Sequence, residues 1–442
     1  MHLTRRQFLG RTAAAVIVAG TMARGKVFGA NNRIRVCTVG FNGQGNSHIR
    51  DILSMKQDAE FVALCDVDAN VLARGAKTIE SAQGKSPRLY KDLRAALDDK
   101  EIDAITIATP NHWHSLAAIW ACQAGKDVFV EKPLSHNVYE GRQLVAAAQK
   151  YGRIVQHGTQ SRSNATLVRD IKVIHDGFIG EIVHSRGYVY KNGNRNAIGH
   201  GQPGPVPEHL DWTLWQGPAR DSEFLINVDR KKPGLHVHYD WHWFWEYGNG
   251  EIGNQGVHEM DIACWGHNCG LPGRVQSAGG RYAWDDDGET PNTQATTFTY
   301  ADGSMMTFEV RNLGSFEEFD GGNCGNSFYG TKGFYVRDKG FFTYKEGKMS
   351  AREAIPVEVP KPDVGNKWQS FFKAVRSRKP EDMPVSTLDA HLSCVHCHLG
   401  NIAYRLGRSL EFDPASERFK DREANQHLTR QYRKGFAVPK LV

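Results

Sequence analysis

Arg33-Ile-Arg-Val-Cys-Thr-Val39-Gly40-Phe-Asn42-Gly43-Gln44-Gly45 reads as an apolar strand that runs into a glycine turn and opens a helix. Outward from it, strand and helix patterns alternate. The helix runs to about Lys56. A strand at Phe61 to Cys65 ends in Asp66, and a helix follows from about Ala69 to Ala82. Next come a strand at Asp103 to Ala108, a helix near Ser115 to Ala124, a strand at Asp127 to Val130 and a helix from about Val138 to Lys150. Such alternation predicts a parallel sheet with right-handed crossovers. It bounds a first domain at residues 31–156.

A tight turn after the first strand aims helix N-terminal amides at a pyrophosphate. The spacing departs from G-x-G-x-x-G, because Asn42 takes the second glycine's place and Gly43 follows it. Asp66, 21 residues after Gly45, strengthens the reading. A carboxylate there accepts hydrogen bonds from an adenosine ribose and repels a 2′-phosphate. NAD is therefore favoured, with Arg74 keeping NADP as the alternative. Ligands of such sheets sit at the carboxyl edge of the strands. That edge also carries Thr109-Pro110-Asn111-His112-Trp113-His114 and Glu131-Lys132-Pro133. The expected cofactor contacts are Gly40, Asn42, Gly43, Gln44, Gly45, Asp66, Thr109, Pro110, His114, Glu131 and Lys132. His112 and His114 face substrate or serve as packing and capping groups, the commoner role.

After about residue 157 the pattern changes. A helix at about Ala165 to Asp176 leads to a strand at Ile182 to Tyr190 and an aromatic, loop-rich stretch to Gly250. A short helix near Gln255 to His267 follows. Alternating runs at Arg274–Trp284, Ala295–Tyr300, Met305–Arg311, Gly333–Arg337 and Phe341–Tyr344 predict an antiparallel sheet. Helices near Lys367–Arg376 and Leu388–Leu406 close this second domain, residues 157–410. The charged tail, 411–442, wraps a partner or the other domain.

Hydrophobic content of 40% and charged content of 24% are those of an ordinary globular chain, and 442 residues suit two domains. Thr4-Arg5-Arg6-Gln7-Phe8-Leu9 before a modest apolar run has the form of a twin-arginine export signal, residues 1–30. Its apolar run is too short to span a membrane. The segment holds five of the 55 basic residues and no acid, which leaves 50 basic against 49 acidic residues. The remainder thus gives no electrostatic case for nucleic acid. The eight cysteines are scattered. Cys394-Val-His-Cys397 lies in a helical pattern with no second pair, which favours packing over metal.

His236-Val-His238-Tyr239-Asp240-Trp241-His242-Trp243-Phe-Trp245 lies between the domains. In extended form, residues 236, 238, 240 and 242 share one face and 241, 243 and 245 the other. Such a face holds a divalent metal, or the run is an aromatic sugar-binding loop, or it serves ordinary packing. The sugar reading is favoured because indole faces stack on pyranose C–H faces, and no metal is assigned. His238, Trp241, Trp243 and Arg162 are substrate-contact candidates.

The glycine turn, Cys65-Asp66-Val67-Asp68, Thr109–His114, Glu131-Lys132-Pro133 and Gly250-Glu-Ile-Gly-Asn254-Gln-Gly-Val-His258-Glu-Met-Asp261 together resemble the glucose–fructose oxidoreductase / inositol dehydrogenase / MocA family. The export signal and Asp211-Trp-Thr-Leu-Trp215 point to its exported branch. The resemblance implies a Rossmann domain followed by an α+β domain with a large, open-faced, mostly antiparallel sheet, and a homo-oligomer, dimer or tetramer. It implies Lys132 as stabiliser of a developing alkoxide and His258 as general base. Asn254 stands where the family usually has aspartate, and Asp261 joins the substrate contacts. The expected function is an exported, NAD-dependent oxidoreductase acting on a hydroxyl of a sugar or sugar derivative with retained cofactor. Two alternatives stand beside it. One is a redox-neutral glycosidase working by oxidation, elimination and re-reduction. The other is a non-catalytic sugar-binding protein.

Overall fold

The structure, a computed structural model, describes residues 33–191, 197–230, 234–313, 322–345, 348–349 and 356–442. The expected export signal, residues 1–30, lies outside them. No helix among the described residues is long and apolar enough to cross a membrane.

The first domain is a parallel sheet of six described strands: β1 (Ile34–Val39), β2 (Ala59–Cys65), β3 (Arg88–Tyr90), β4 (Ala104–Ile107), β5 (Asp127–Val130) and β6 (Val155–His157). Their order is 3-2-1-4-5-6, so chain direction along the sheet reverses between β1 and β4. β4 and β5 are buried at every position, as expected of strands covered on both faces. The crossovers are α1 (Gln44–Leu53), α2 (Ala69–Gln83), α3 (Leu93–Asp98), α4 (Asn111–Gln123) and α5 (Val138–Tyr151). Asp68 caps α2 by accepting from the amides of Asn70 and Val71.

α4 begins at Asn111 rather than near Ser115, directly after Pro110. The polar residues Asn111, His112 and His114 are buried in its first turn, and for Asn111 and His112 the second domain supplies the partners. His112 Nε2 lies 3.0 Å from the Trp215 carbonyl, and Asn111 donates to Asn249 at 3.2 Å.

The second domain starts with α6 (Ala165–His175). Its large sheet is built from β7 (Ile182–Tyr190), β10 (Arg274–Gly280), β11 (Thr293–Thr299), β12 (Met305–Arg311), β13 (Cys324–Gly330), β14 (Gly333–Val336), β15 (Gly340–Lys345), β16 (Lys348–Met349), β17 (Leu410–Asp413) and β18 (Arg418–Phe419). The order is 16-15-14-13-7-12-11-10-17-18. β7 pairs antiparallel with β13 and parallel with β12, so the sheet is mixed, mostly antiparallel. β8 (Gly201–Pro203) and β9 (Leu225–Asn227) form a separate ribbon. The helices of this part are α7 (Trp212–Gln216), α8 (Gly250–Gly253) and α9 (Gly256–His267).

Two elements cross between domains. α10 (Lys367–Ser377), expected to close the second domain, packs on the first instead. Its Trp368 lies 4.4 Å from Phe129 of β5, ring to ring, beside Phe371 and Phe372. Large aromatics at those spacings cover an apolar sheet face that α1 and α2 leave open. α11 (Thr387–Leu406) packs on both α5 and α9. The tail joins the large sheet through β17 and then returns to the first domain, where Phe436 packs on Trp113 and Tyr432 donates to Glu140.

Candidate active site

A cleft of about 410 Å³ lies at the carboxyl edge of the parallel sheet, between the domains. Its first wall is the glycine turn. Gly40 has φ +71°, and a Cβ there would lie 2.8 Å from Thr109 Cγ2. A Cβ on Gly45 would lie 2.3 Å from the Gly40 carbonyl, so this glycine closes the turn from behind rather than lining the cleft. Gly43 faces open space and precedes α1 with no side-chain cap. The amide-rich helix start is thereby open toward the cleft.

Asp66 stands at the end of β2. Its oxygens accept from the amides of Phe41 (2.9 Å) and Asp68 (3.1 Å). Burial raises it to about 6, against these two hydrogen bonds. Arg74 donates to the Asn42 side-chain oxygen at 2.8 Å, so the guanidinium is engaged at the turn. Thr109 Oγ1 is buried at the cleft wall with no hydrogen-bond partner. Glycine cradle, open helix start, ribose-side carboxylate and orphaned hydroxyl together fit a dinucleotide cofactor. Gly40, Asn42, Gly43, Gln44, Asp66, Thr109, Pro110, His114, Glu131 and Lys132 all line this space.

His114 lines the cleft but serves the scaffold: its ring nitrogens lie 2.6 Å from the Pro133 carbonyl and 2.8 Å from that of Thr109. It ties the ends of β4 and β5 together. Glu131 faces His48 of α1 at 3.0 Å and Gln44 at 3.3 Å. Burial would raise this carboxyl; the His48 hydrogen bond and the charges of His48, Lys132 and Lys367 bring it well below the carboxylate range instead. The His48 contact was not anticipated, although Gln44 and His48 share one face of α1 at i, i+4.

Lys132 Nζ donates to Asn254 Oδ1 at 3.0 Å. His258 lines the same space. Asn254 and His258 do not share one helix, as the i, i+4 spacing suggested. Asn254 terminates α8, and His258 lies in the first turn of α9, yet both still face the cleft. Burial, and then the Lys132 charge, push His258 down to about 3, so its imidazole is neutral near pH 7.

The second domain roofs the cleft with Trp215, His238, Tyr239, Trp241 and His242. The His236–Trp245 run is not extended: Asp240–Trp243 is a 3₁₀ turn, so the expected alternation of faces does not hold. His236 packs against Phe244 and Tyr247, His238 Nε2 lies 3.1 Å from Asp68, and His242 Nδ1 lies 2.6 Å from the Tyr239 carbonyl. These side chains diverge. Trp243, an expected substrate contact, is 1% exposed inside the second domain's aromatic core and does not reach the cleft. Trp241 does, with its ring stacked on His242.

Arg162 and Asp261, also expected substrate contacts, do not line the cleft. They bind each other, Nε–Oδ2 at 2.7 Å and Nη2–Oδ1 at 2.9 Å, and Ser393 adds a third bond to Asp261. Burial would raise Asp261, but the Arg162 charge holds it low. The pair braces the 3₁₀ turn Gln160–Ser163, α9 and α11 behind the cleft, and Gln160 takes the lining position instead.

The fold and the cleft define a two-domain nucleotide-cofactor protein with a lysine–histidine centre. The chain belongs to the Gfo/Idh/MocA oxidoreductase family. Residues 34–159 match its NAD-binding Rossmann fold and residues 165–438 its C-terminal α/β domain. A glycosyl hydrolase family 109 protein of Shewanella pealeana is 28% identical over 223 residues, 43% of this chain and 47% of its own. Inositol 2-dehydrogenase of Salmonella typhimurium is 33% identical over 153 residues, 34% of this chain and 44% of its own. The chain thus spans about half the length of the curated relatives it matches. Among solved structures, the WlbA dehydrogenase from Chromobacterium violaceum in complex with NADH and UDP-GlcNAcA superposes with TM-score 0.64 at 18% identity, covering 86% of this chain and 96% of that one.

Proposed function

We propose that this protein oxidises a hydroxyl of a sugar or sugar derivative with NAD held in the cleft. The observation that carries the reading is the convergence of Lys132 and neutral His258 on the space bounded by the glycine turn and Asp66. His258 takes the hydroxyl proton. Lys132 stabilises the oxygen as negative charge develops on it. Asn254 fixes the ammonium by accepting from it. The bound nicotinamide supplies the hydride acceptor. Trp241 and Trp215 offer apolar faces for the ring of a sugar.

The cofactor is retained between turnovers in this reading. His238 and His209 both approach the Asp68 carboxylate, at 3.1 and 3.6 Å. The backbone of Leu210 bridges Asp68, with Ala69 donating to His209 and Asp211 donating to Val67. This strap of the second domain adjoins Asp66 and Val67, and in this reading it holds the adenosine end of the cofactor. Retention suits an exported protein, the destination that residues 1–30 propose. The second reading, a redox-neutral glycosidase, draws on the family 109 relatives and needs the same retention, because the hydride must return to the same molecule. Native mass spectrometry of the purified protein, followed by absorbance during a sugar and glycoside screen, separates the two. NADH accumulation supports oxidation, and glycoside cleavage without it supports the glycosidase. A protein that neither carries nor binds NAD(H) would remove both.

A further inference from the structure

Glu251 is a buried carboxylate, 1% exposed, that the hydroxyl-oxidation reading does not use. It lies in α8, three residues before Asn254. The Asn254 amide nitrogen donates to Glu251 Oε2 at 3.4 Å, while the oxygen of the same amide accepts from Lys132 at 3.0 Å. An ammonium only donates and a carboxylate only accepts, so a single orientation of the amide satisfies both ends. Burying a carboxylate is costly, and such groups gather where charge has a task.

We propose that Glu251 is a positioning residue that locks the Asn254 amide and, through it, keeps Lys132 charged and aimed at the reacting oxygen. The proposal rests on the hydroxyl-oxidation reading of Lys132. The carboxylate that the family resemblance places at position 254 is moved back by one side chain. Its charge reaches the ammonium across an amide. Glu131, His114 and His258 also act on Lys132 electrostatically and are untouched by the variants below.

The test uses the full chain and needs no substrate. Acetylation of Lys132 by acetic anhydride is followed across pH by mass spectrometry. Glu251→Gln lowers the titration midpoint of Lys132 by about one unit, since an opposite charge favours the ammonium. With any substrate from the screen, kcat falls about tenfold and KM changes little. Asn254→Asp in the Glu251→Gln background puts a carboxylate directly on the ammonium and restores both readouts. Asn254→Asp alone does not improve on wild type, because two adjacent carboxylates compete and one takes a proton. An unchanged midpoint in Glu251→Gln, or a double variant no better than the single, overturns the proposal. Should Glu251→Gln fail to fold, Glu251→Asp decides, since a side chain one methylene shorter no longer reaches the Asn254 amide: a lowered Lys132 midpoint upholds the role and an unchanged one overturns it. Lys132→Ala with full turnover would instead sink the hydroxyl-oxidation reading itself, an outcome separate from these.

Discussion

The Lys132 ammonium donates to the Asn254 side-chain oxygen at 3.0 Å, joining the end of a sheet strand to a helix junction 122 residues further along. This contact closes the cleft across the two domains. Lys132→Ala removes the group on which alkoxide charge is stabilised, and kcat/KM falls by about 100- to 1,000-fold. The glycine turn and Asp66 remain, so NADH binding, read by fluorescence titration, stays near wild type. Loss of NADH binding in step with activity would assign Lys132 to the cofactor alone.

The Arg162–Asp261 pair separates support from substrate contact. The guanidinium is 7% and the carboxylate 0% exposed, and two parallel hydrogen bonds join them. Removing one partner leaves a buried, uncompensated charge. Arg162→Ala therefore costs about 3–5 kcal/mol in urea unfolding. If stability were unchanged while KM rose, Arg162 would be a substrate ligand after all.

What the sequence disclosed and what it hid divide along physical lines. Asp127–Val130, Ile182–Tyr190 and Met305–Arg311 are strands at the bounds their apolar or alternating pattern predicts. The glycine turn and Asp66 were legible because the chain's local geometry makes that site. Cys324–Gly330 carries no strand pattern in its glycine, asparagine and serine residues, and pairing with β7 and β14 makes it a strand. Arg162 and Asp261 lie 99 positions apart, and their mutual satisfaction is a tertiary fact. Nor does spacing reveal that Glu251 stands behind Asn254, because nothing local fixes which way α8 faces.

Among the described residues, buried histidines set the acid limit of stability. Burial pushes His112, His258 and His398 down to about 3, and His157, His236, His267 and His396 to about 4. Each is neutral when folded and gains a proton on unfolding below the ordinary value near 6.5. Their contribution is present above about pH 6.5 and is lost as pH falls toward those values. Three buried carboxylates act the other way. Burial raises Asp66 to about 6 and Glu140 and Glu259 to about 7, so they favour the folded state most at low pH. The histidines outnumber them, and Tm in calorimetry falls between pH 7 and pH 5. The slope is about 1.4 kcal/mol per pH unit for each net proton taken up. A Tm that rises on acidification would contradict the neutral, buried state of these rings.

In the retained-cofactor reading, cofactor release depends on His238. Its ring reaches Asp68 from the second domain, and Asp68 in turn caps α2 beside the ribose-side Asp66. His238→Ala removes one hydrogen bond to a carboxylate and leaves the backbone bridge at Leu210 in place. A loss of about 1.4 kcal/mol corresponds to a tenfold faster release. In stopped-flow displacement of NADH by excess NAD, the variant should show that increase with little change in the association rate. Wild type should keep its cofactor through gel filtration while the variant sheds it. Equal release rates would mean that the strap does not gate the cofactor, and the redox-neutral glycosidase reading, which requires the hydride to stay with the protein, would lose its structural support.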